Sequence, residues 1–507
     1  MRARIKRLTA AIGGLRAGVA GLAGKIATLA GILLGAILLR LIAGVGFANY
    51  DTLYALAWGG QLSRGSRPAY EVAIAPTPHP LIELLGLILS PLAPRAIVHV
   101  TVALGFIALS ACGWVIYRLG QQWFGRGAGA LAALIFLTRV PVLSYGVRAY
   151  IDLPYVLLLL SALLLESRRR RAGEPVLILL ALAGLLRPEA WAFSGLYWLY
   201  ISDLLPERLR RLSSSATPGP RNVPPRRALI RLSALAAAAP LVWLLSDLLI
   251  TGDLLWSLSN TRHTAEILDR KSGIANVPEY IPRRIGEILR PPVLLAAAFG
   301  GVLSLMWLRS RALLLAGAGI LAVVVFAAFA TLGLPINSRY AFLTSAILCI
   351  FAGAGVLGWR RLQPGDGRRR WWLAGACLLL VALIAYAPAQ YRSAHRQFDE
   401  LSRQHSIEGD LVALVATHAI NLSCGPVAVP NHAPIPLLAL YLKTSPANIV
   451  SLQVGQISAG VYVDPASKKV EEDYVLDKHD PHRAVSVPPG FTASATNRSW
   501  LIFKRCQ

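Results

Sequence analysis

Residues 29–47 read LAGILLGAILLRLIAGVGF, with a single charge at Arg40, and Arg2, Arg4, Lys6 and Arg7 lie ahead of them. An apolar helix of about 20 residues crosses the hydrocarbon layer of a bilayer. The run is too long for the core of a signal peptide, and no convincing small-residue cleavage site precedes Asn49. It reads as a retained span whose basic leader, residues 1–26, stays in the cytoplasm.

Outward from this run the pattern repeats. Of 507 residues, 55% are hydrophobic and 15% charged, and the mean hydropathy is +0.54. A soluble enzyme carries about a quarter charged residues. The first span extends over 27–48, and others fall near 95–118, 128–146, 151–167, 228–250, 291–308, 312–333, 339–359 and 371–390. Residues 175–202 start and finish beside basic loops yet hold Arg187, Pro188 and Glu189 in the middle. That segment reads as a hairpin of two short helices with its tip in a wet cavity, because a charged pair facing lipid is costly. The fold class is a polytopic α-helical membrane protein of about eleven transmembrane helices.

The formal net charge of +25 sits in short clusters between the apolar runs, at Arg168 to Arg171, Arg226 and Arg227, and Arg368 to Arg370. Cytoplasmic loops have this pattern, so the charge orients spans and needs no nucleic-acid partner. It predicts a multi-pass plasma-membrane protein with residues 27–390 in the membrane and three long outside segments: 49–94, 251–290 and 391–507. Segment 213–228, with Ser213 to Ser215, Pro218, Pro220, Pro224 and Pro225, reads as a flexible cytoplasmic linker. Strand-like runs at 427–429, 449–452, 461–463 and 501–503 predict a small extracytoplasmic α/β domain over 391–507. Cys424 and Cys506 both fall in it and are expected to form a disulfide in an oxidising compartment. No internal repeat is visible.

Acids stand at two outer span ends: Asp51, after Asn49 and Tyr50, and Asp152, in Tyr150-Ile151-Asp152-Leu153-Pro154. A carboxylate at the membrane surface can take a proton from an acceptor hydroxyl. Either Asp can instead cap the helix that follows, as Asp often does, and for Asp51 that helix is 52–62. Arg139 and Arg148 lie close by in sequence, and arginine forks suit a lipid phosphate.

In chain order the sequence carries the Asp51 loop, Pro78-His79-Pro80-Leu81, Asp152-Leu153-Pro154, Gly184-Leu185-Leu186-Arg187-Pro188-Glu189-Ala190-Trp191, Thr251-Gly252-Asp253 and Ser338-Arg339-Tyr340. Over residues 27–390 this ordered set resembles the glycosyltransferase C superfamily, particularly the branch of protein mannosyltransferases and lipid A aminoarabinose transferases. A single acid follows Tyr50 where some branches have an acidic doublet, and Pro78-His79-Pro80 stands where several relatives have a Pro-Pro pair.

The resemblance implies a hexosyl- or pentosyltransferase that moves a sugar, with inversion, from a polyprenyl-phosphate donor to an acceptor on the outer face. The acceptor is an envelope glycan, protein or lipid. Asp51 would be the general base, and Asp152 would support the site. A divalent cation, magnesium or manganese, on Asp51 and Asp152 is the one cofactor it suggests. Displacing a polyprenyl phosphate from an anomeric carbon builds positive charge on the sugar and negative charge on the departing oxygen. The site needs one base and several cations.

His79, Arg339, Arg148 and Arg187 are the candidates for the donor phosphate, and Tyr50, Glu71, Tyr340 and Glu189 for substrate contact. Arg339 can instead snorkel to the interface, His79 can be a loop residue without a role, and Glu189 can simply brace the hairpin by pairing with Arg187. Asp253, Arg262, His263 and Glu279 lie in outside loops, within reach of an acceptor or merely solvated. The C-terminal domain is expected to hold the acceptor over the membrane site. A transporter or lipid flippase of envelope precursors is the alternative reading, but its coupling acids would lie near mid-membrane in broken helices.

Overall fold

Every apolar segment read as a span forms helix. A computed structural model describes residues 2–204, 224–475 and 486–506, with side chains from residue 23 onward. The side chains of leader residues 1–22, and linker residues 213–223, lie outside the described residues. Helix α1 spans Arg2–Ala43, followed by α2 Tyr50–Ser63, α3 Pro80–Leu89, α4 Pro94–Phe124, α5 Arg126–Leu137, α6 Val140–Val147, α7 Asp152–Arg168, α8 Glu174–Gly184 and α9 Glu189–Ile201. After the linker come α10 Arg226–Thr251, α11 Trp256–Ile267, α12 Val277–Trp307, α13 Arg309–Thr331, α14 Phe342–Leu357 and α15 Gly367–Ala416.

Among the described residues, seven helices are long and apolar enough to cross a membrane, or eight if α5 and α6, bent by 65°, form one span. The expected count of about eleven adds α7, at 17 residues, and the α8–α9 hairpin, at 11 and 13. The α5–α6 break is braced by buried Arg139, which donates to the carbonyls of Ile135 at 3.0 Å and Leu289 at 3.2 Å. It is spoken for structurally. In α12, Arg290 adopts φ 66° ahead of Pro291 and Pro292, so a surface helix turns there into the span.

The span beginning at Ser338 is the axis of the bundle, with 89% of its apolar window buried. Its core helix, α14, can be central because its neighbours approach closely through small residues. An added Cβ at Gly300 of α12 would lie 2.0 Å from the Phe351 carbonyl oxygen, and one at Gly353 would lie 2.3 Å from that of Ala128 in α5. Where lipid is as apolar as leucine, such close contact is what holds helices together. Peripheral helices α1, α10, α13 and α15 turn Leu41, Leu249, Ile320 and Leu378 outward, as lipid contact requires.

The last span does not stop at residue 390. Helix α15 runs 50 residues, past Pro388, into the C-terminal domain. There β1 Val427–Val429, helix α16 Ile435–Tyr441, β2 Ile449–Ser451, β3 Gly460–Pro465, β4 Thr492–Thr496 and β5 Trp500–Arg505 follow. The sheet order is β2-β1-β3-β5-β4, parallel over the first three strands and antiparallel at β5 and β4. Four strands match apolar runs in the sequence, whereas β4, Thr-Ala-Ser-Ala-Thr, has no apolar signal and lies at an exposed edge. Cys424 and Cys506 are disulfide-bonded, joining the approach to β1 with the end of β5. The domain is not separate in its packing: Val427, Leu438, Val461 and Ile502 share one apolar core with Leu53, Tyr54 and Trp58 of α2.

Candidate functional site

Helix α2 is capped by Asn49, whose side chain accepts from the Thr52 amide at 3.0 Å. This frees Asp51, the second helical residue, from the capping role, and its carboxylate instead pairs with Arg339. The same turn is stitched to the α6–α7 connection. The Asn49 amide donates to the Arg148 carbonyl at 2.9 Å, and the Thr52 hydroxyl donates to the Ala149 carbonyl at 2.9 Å. Those bonds set the Asp51 loop beside the one carrying Asp152. Nor is Asp152 a cap. It opens α7 without a capping bond, and one of its oxygens pairs with Arg187.

Arg187 reaches Asp152 through one nitrogen and Glu189 through another, the latter at 2.8 Å. Of the candidates for the donor phosphate, it is the one held by two carboxylates. Glu189 braces the hairpin as its second partner. Tyr340 contacts both arginines with its ring, at 4.2 Å from Arg187 and 5.5 Å from Arg339. It spaces the two ion pairs. Arg339 comes from the turn Ser338–Ala341 just ahead of α14, so its backbone is fixed by the most buried element of the bundle.

His79 caps the start of α3 by position only, for its ring makes no capping bond and lies edge-on to Trp243 at 6.1 Å. Burial pushes its pKa down to about 3, with the charges of Arg187 and Arg339 adding to the effect. His79 is therefore neutral and contributes polarity rather than positive charge. Burial would raise the Asp51 carboxyl, but the Arg339 guanidinium holds it below its usual value. Behind His79, buried Glu83 accepts from the His79 amide at 3.1 Å and from the Tyr70 hydroxyl at 2.5 Å. Burial lifts the Glu83 carboxyl to about 7.

Three buried polar atoms in this cluster lack hydrogen-bond partners: Arg339 Nε, His79 Nδ1 and Asp152 Oδ2. Buried polar groups are normally satisfied, so two nitrogens and one carboxylate oxygen here fit a polar ligand. Arg148 lies near, clasped over the rings of Tyr145 and Tyr150 at 5.3 and 5.0 Å and donating to the Ser144 hydroxyl at 2.9 Å.

Other expected contacts sit elsewhere. The Tyr50 hydroxyl donates to the Ile74 carbonyl at 3.0 Å, and burial holds it protonated, so it ties down the loop. Glu71 lines a separate groove of about 420 Å3 with Arg67, Ile250, Ile435 and Ser451, between the segment 49–94 and the C-terminal domain. Asp253 turns back to cap the Leu255 amide at 2.9 Å, Arg262 donates to the Leu332 carbonyl at 2.5 Å, and Glu279 is exposed. A residue the sequence reading missed is Arg270, whose positive charge acts on Asp51 from the segment 251–290. Its signal was available: Arg270-Lys271 is a basic doublet in a loop assigned to the outside, against the usual bias.

The donor set does not fit a divalent ion on Asp51 and Asp152. Each carboxylate is held by an arginine, and among the described residues no three His, Cys, Asp or Glu side chains converge.

No protein-family model matches the chain, and no curated protein matches it in sequence. Two solved structures of ArnT from Cupriavidus metallidurans share its architecture. The one bound to undecaprenyl phosphate is 14% identical with a TM-score of 0.51, and the apo form is 12% identical with a TM-score of 0.51. Each comparison covers 95% of this chain and 98% of ArnT. The chain thus shares the fold of these ArnT structures over nearly its whole length.

Proposed function

We propose that this protein is a membrane glycosyltransferase that transfers a hexosyl or pentosyl group from a polyprenyl-phosphate donor to an acceptor hydroxyl at the outer membrane surface. The observation that carries this reading is the buried Asp51–Arg339 pair, in which Arg339 Nε is left without a partner. One guanidinium faces the base with one edge and offers the other to a phosphate oxygen. That an ArnT structure of the same fold holds undecaprenyl phosphate supports a polyprenyl-phosphate carrier.

In this mechanism the acceptor oxygen attacks the anomeric carbon from the face opposite the phosphate. The bond from that carbon to the phosphate oxygen breaks, with its electron pair leaving on the polyprenyl phosphate. The acceptor proton passes to Asp51. A carboxylate held below its usual pKa is a weak base toward an alcohol, so the proton moves late, as positive character develops on the sugar. Arg339, with Arg148 and Arg270 as supporting cations, stabilises the departing phosphate. Neutral His79 adds polarity beside the phosphate without adding charge. Asp152, neutralised by Arg187, positions that wall of the site.

The test incubates purified protein with a panel of labelled polyprenyl-phosphate sugars and envelope extract, then separates the products. Transfer of label to an extract component, lost in Asp51→Asn, is expected. Label that crosses vesicle membranes unchanged, with no product from any donor, would overturn the reading in favour of a transporter.

A further inference from the structure

Helix α4 leads away from the outer loops to Phe124, and α14 leads away from Arg339 to Leu357, so segments 121–128 and 357–361 meet at the end of the bundle opposite Asp51. A cavity of about 500 Å3 lies between them, lined by Phe124, Gly125, Arg126, Leu357, Arg360 and Arg361 among others. Arg361 is tethered there, donating to the Gln121 carbonyl at 3.1 Å, with its Nε 3.6 Å from where a Cβ on Gly125 would stand. Arg360 lies over the Trp359 ring at 5.3 Å, with its Nη1 3.9 Å from the Cβ position of Gly127. Arg311 adds a further positive charge facing Arg361.

Basic residues at one end of a membrane protein are ordinary, and Arg126, Arg311, Arg360 and Arg361 are exposed. Two features set these apart. Arg126, Arg360 and Arg361 come from distant segments of chain yet line one cavity, and among the described residues none of these three nor Arg311 has an acidic partner. Elsewhere at this end acids do pair, Asp203 with Arg171 at 3.0 Å and Asp366 with Arg368 at 2.7 Å. The glycines at 125 and 127 keep the turn backbone open toward the guanidinium groups. The first amides of α5 point from the same turn without a side-chain cap.

We propose that this cavity binds a phosphate group, specifically the headgroup of an anionic phospholipid in the adjoining leaflet. Arginine forks match phosphate geometry with paired hydrogen bonds. A phosphate among these cations would relieve their mutual repulsion. Phe124 and Leu357 supply an apolar wall for the first carbons of the lipid chains. The site is independent of the sugar-transfer reading, since it lies at the other end of the bundle.

The experiment uses the full-length protein in nanodiscs of phosphatidylcholine with a minor share of phosphatidylglycerol, followed by native mass spectrometry of the lipids retained. Arg126→Gln/Arg360→Gln/Arg361→Gln should retain phosphatidylglycerol about tenfold more weakly than wild type. The control Arg168→Gln/Arg169→Gln/Arg170→Gln removes the same charge from a loop outside the cavity and should retain it fully. A triple lysine variant at 126, 360 and 361 keeps charge and fold but loses the forks, and should fall between the two. Millimolar inorganic phosphate separates the sources of the ligand: failure to displace the lipid identifies the headgroup, and displacement with the same arginine dependence identifies phosphate from solution. Equal losses in the cavity and control variants, full retention by both cavity variants, or equal retention of phosphatidylcholine and phosphatidylglycerol would overturn the proposal.

Discussion

Arg339 stands between a carboxylate and an unfilled hydrogen-bonding direction, so its replacement separates charge from geometry. Arg339→Lys keeps the charge but cannot serve both sides, and should weaken donor binding roughly 10- to 100-fold, the scale of losing a hydrogen bond to a charged group. Titration with a labelled donor measures it. Asp51→Asn should bind donor nearly as well as wild type yet lose on the order of 10²–10⁴-fold in turnover. Near-normal turnover in the same folded preparation would remove Asp51 from the chemistry. The pH dependence is also determined. Asp51 titrates below the ordinary carboxylate range and His79 near 3, so neither gives the rate profile a limb at neutral pH. Glu83 acts on stability instead. Its carboxyl titrates near 4.5 when unfolded and at about 7 when folded, so the folded state binds more protons between those values and stability falls as pH rises through them. Glu83→Gln mimics the protonated acid toward Tyr70 and His79, and should flatten that slope in melts recorded from pH 4.5 to 8. Asp152 and Arg187 were legible as charges badly placed for lipid, Asp51 as an acid at an outer span end and Arg339 through the Ser338-Arg339-Tyr340 piece. Their pairing was not, because Asp51 and Arg339 are 288 residues apart and nothing local in a sequence reports such a contact.

The α2–α3 pair sets the distance between Asp51 and His79, and it is built on glycine. An added Cβ at Gly59 would lie 2.3 Å from the Glu83 carbonyl oxygen, and one at Gly86 would lie 2.8 Å from Leu56 Cα. Backbone atoms cannot yield as side-chain tips do, so Gly59→Ala should cost about 1–3 kcal/mol and displace Glu83. Lower thermal stability together with reduced turnover is expected. If melting and activity match wild type, the helices are free to separate. At this scale the long apolar helices could be read directly, because hydrocarbon thickness dictates their length and composition. The continuation of α15 beyond residue 390 was hidden, since its apolar run ends there while charged residues such as Arg396, Glu400 and Arg403 carry the helix onward. Strand β4 was hidden for a related reason: an exposed edge needs no apolar face.

Across the whole molecule, one apolar core joins the C-terminal sheet to α2, so loosening the domain should be felt at the Asp51 loop. The link between Cys424 and Cys506 closes a separation of 82 residues, which chain entropy values at about 4–5 kcal/mol. A Cys424→Ser/Cys506→Ser variant should melt earlier and lose turnover with it, as measured by thermal unfolding and the transfer assay. Unchanged melting would show that the shared core alone holds the domain in place. The 50-residue helix α15 has a consequence of its own. An uninterrupted helix transmits angle as well as height, about 100° and 1.5 Å for each residue. A single alanine inserted between residues 391 and 400 would swing the domain by more than a quarter turn and tear its face from α2. Seven inserted residues would raise it by about 10.5 Å but restore its heading to within about 20°. The phase of one helix thus decides which side of the small domain looks down on the membrane.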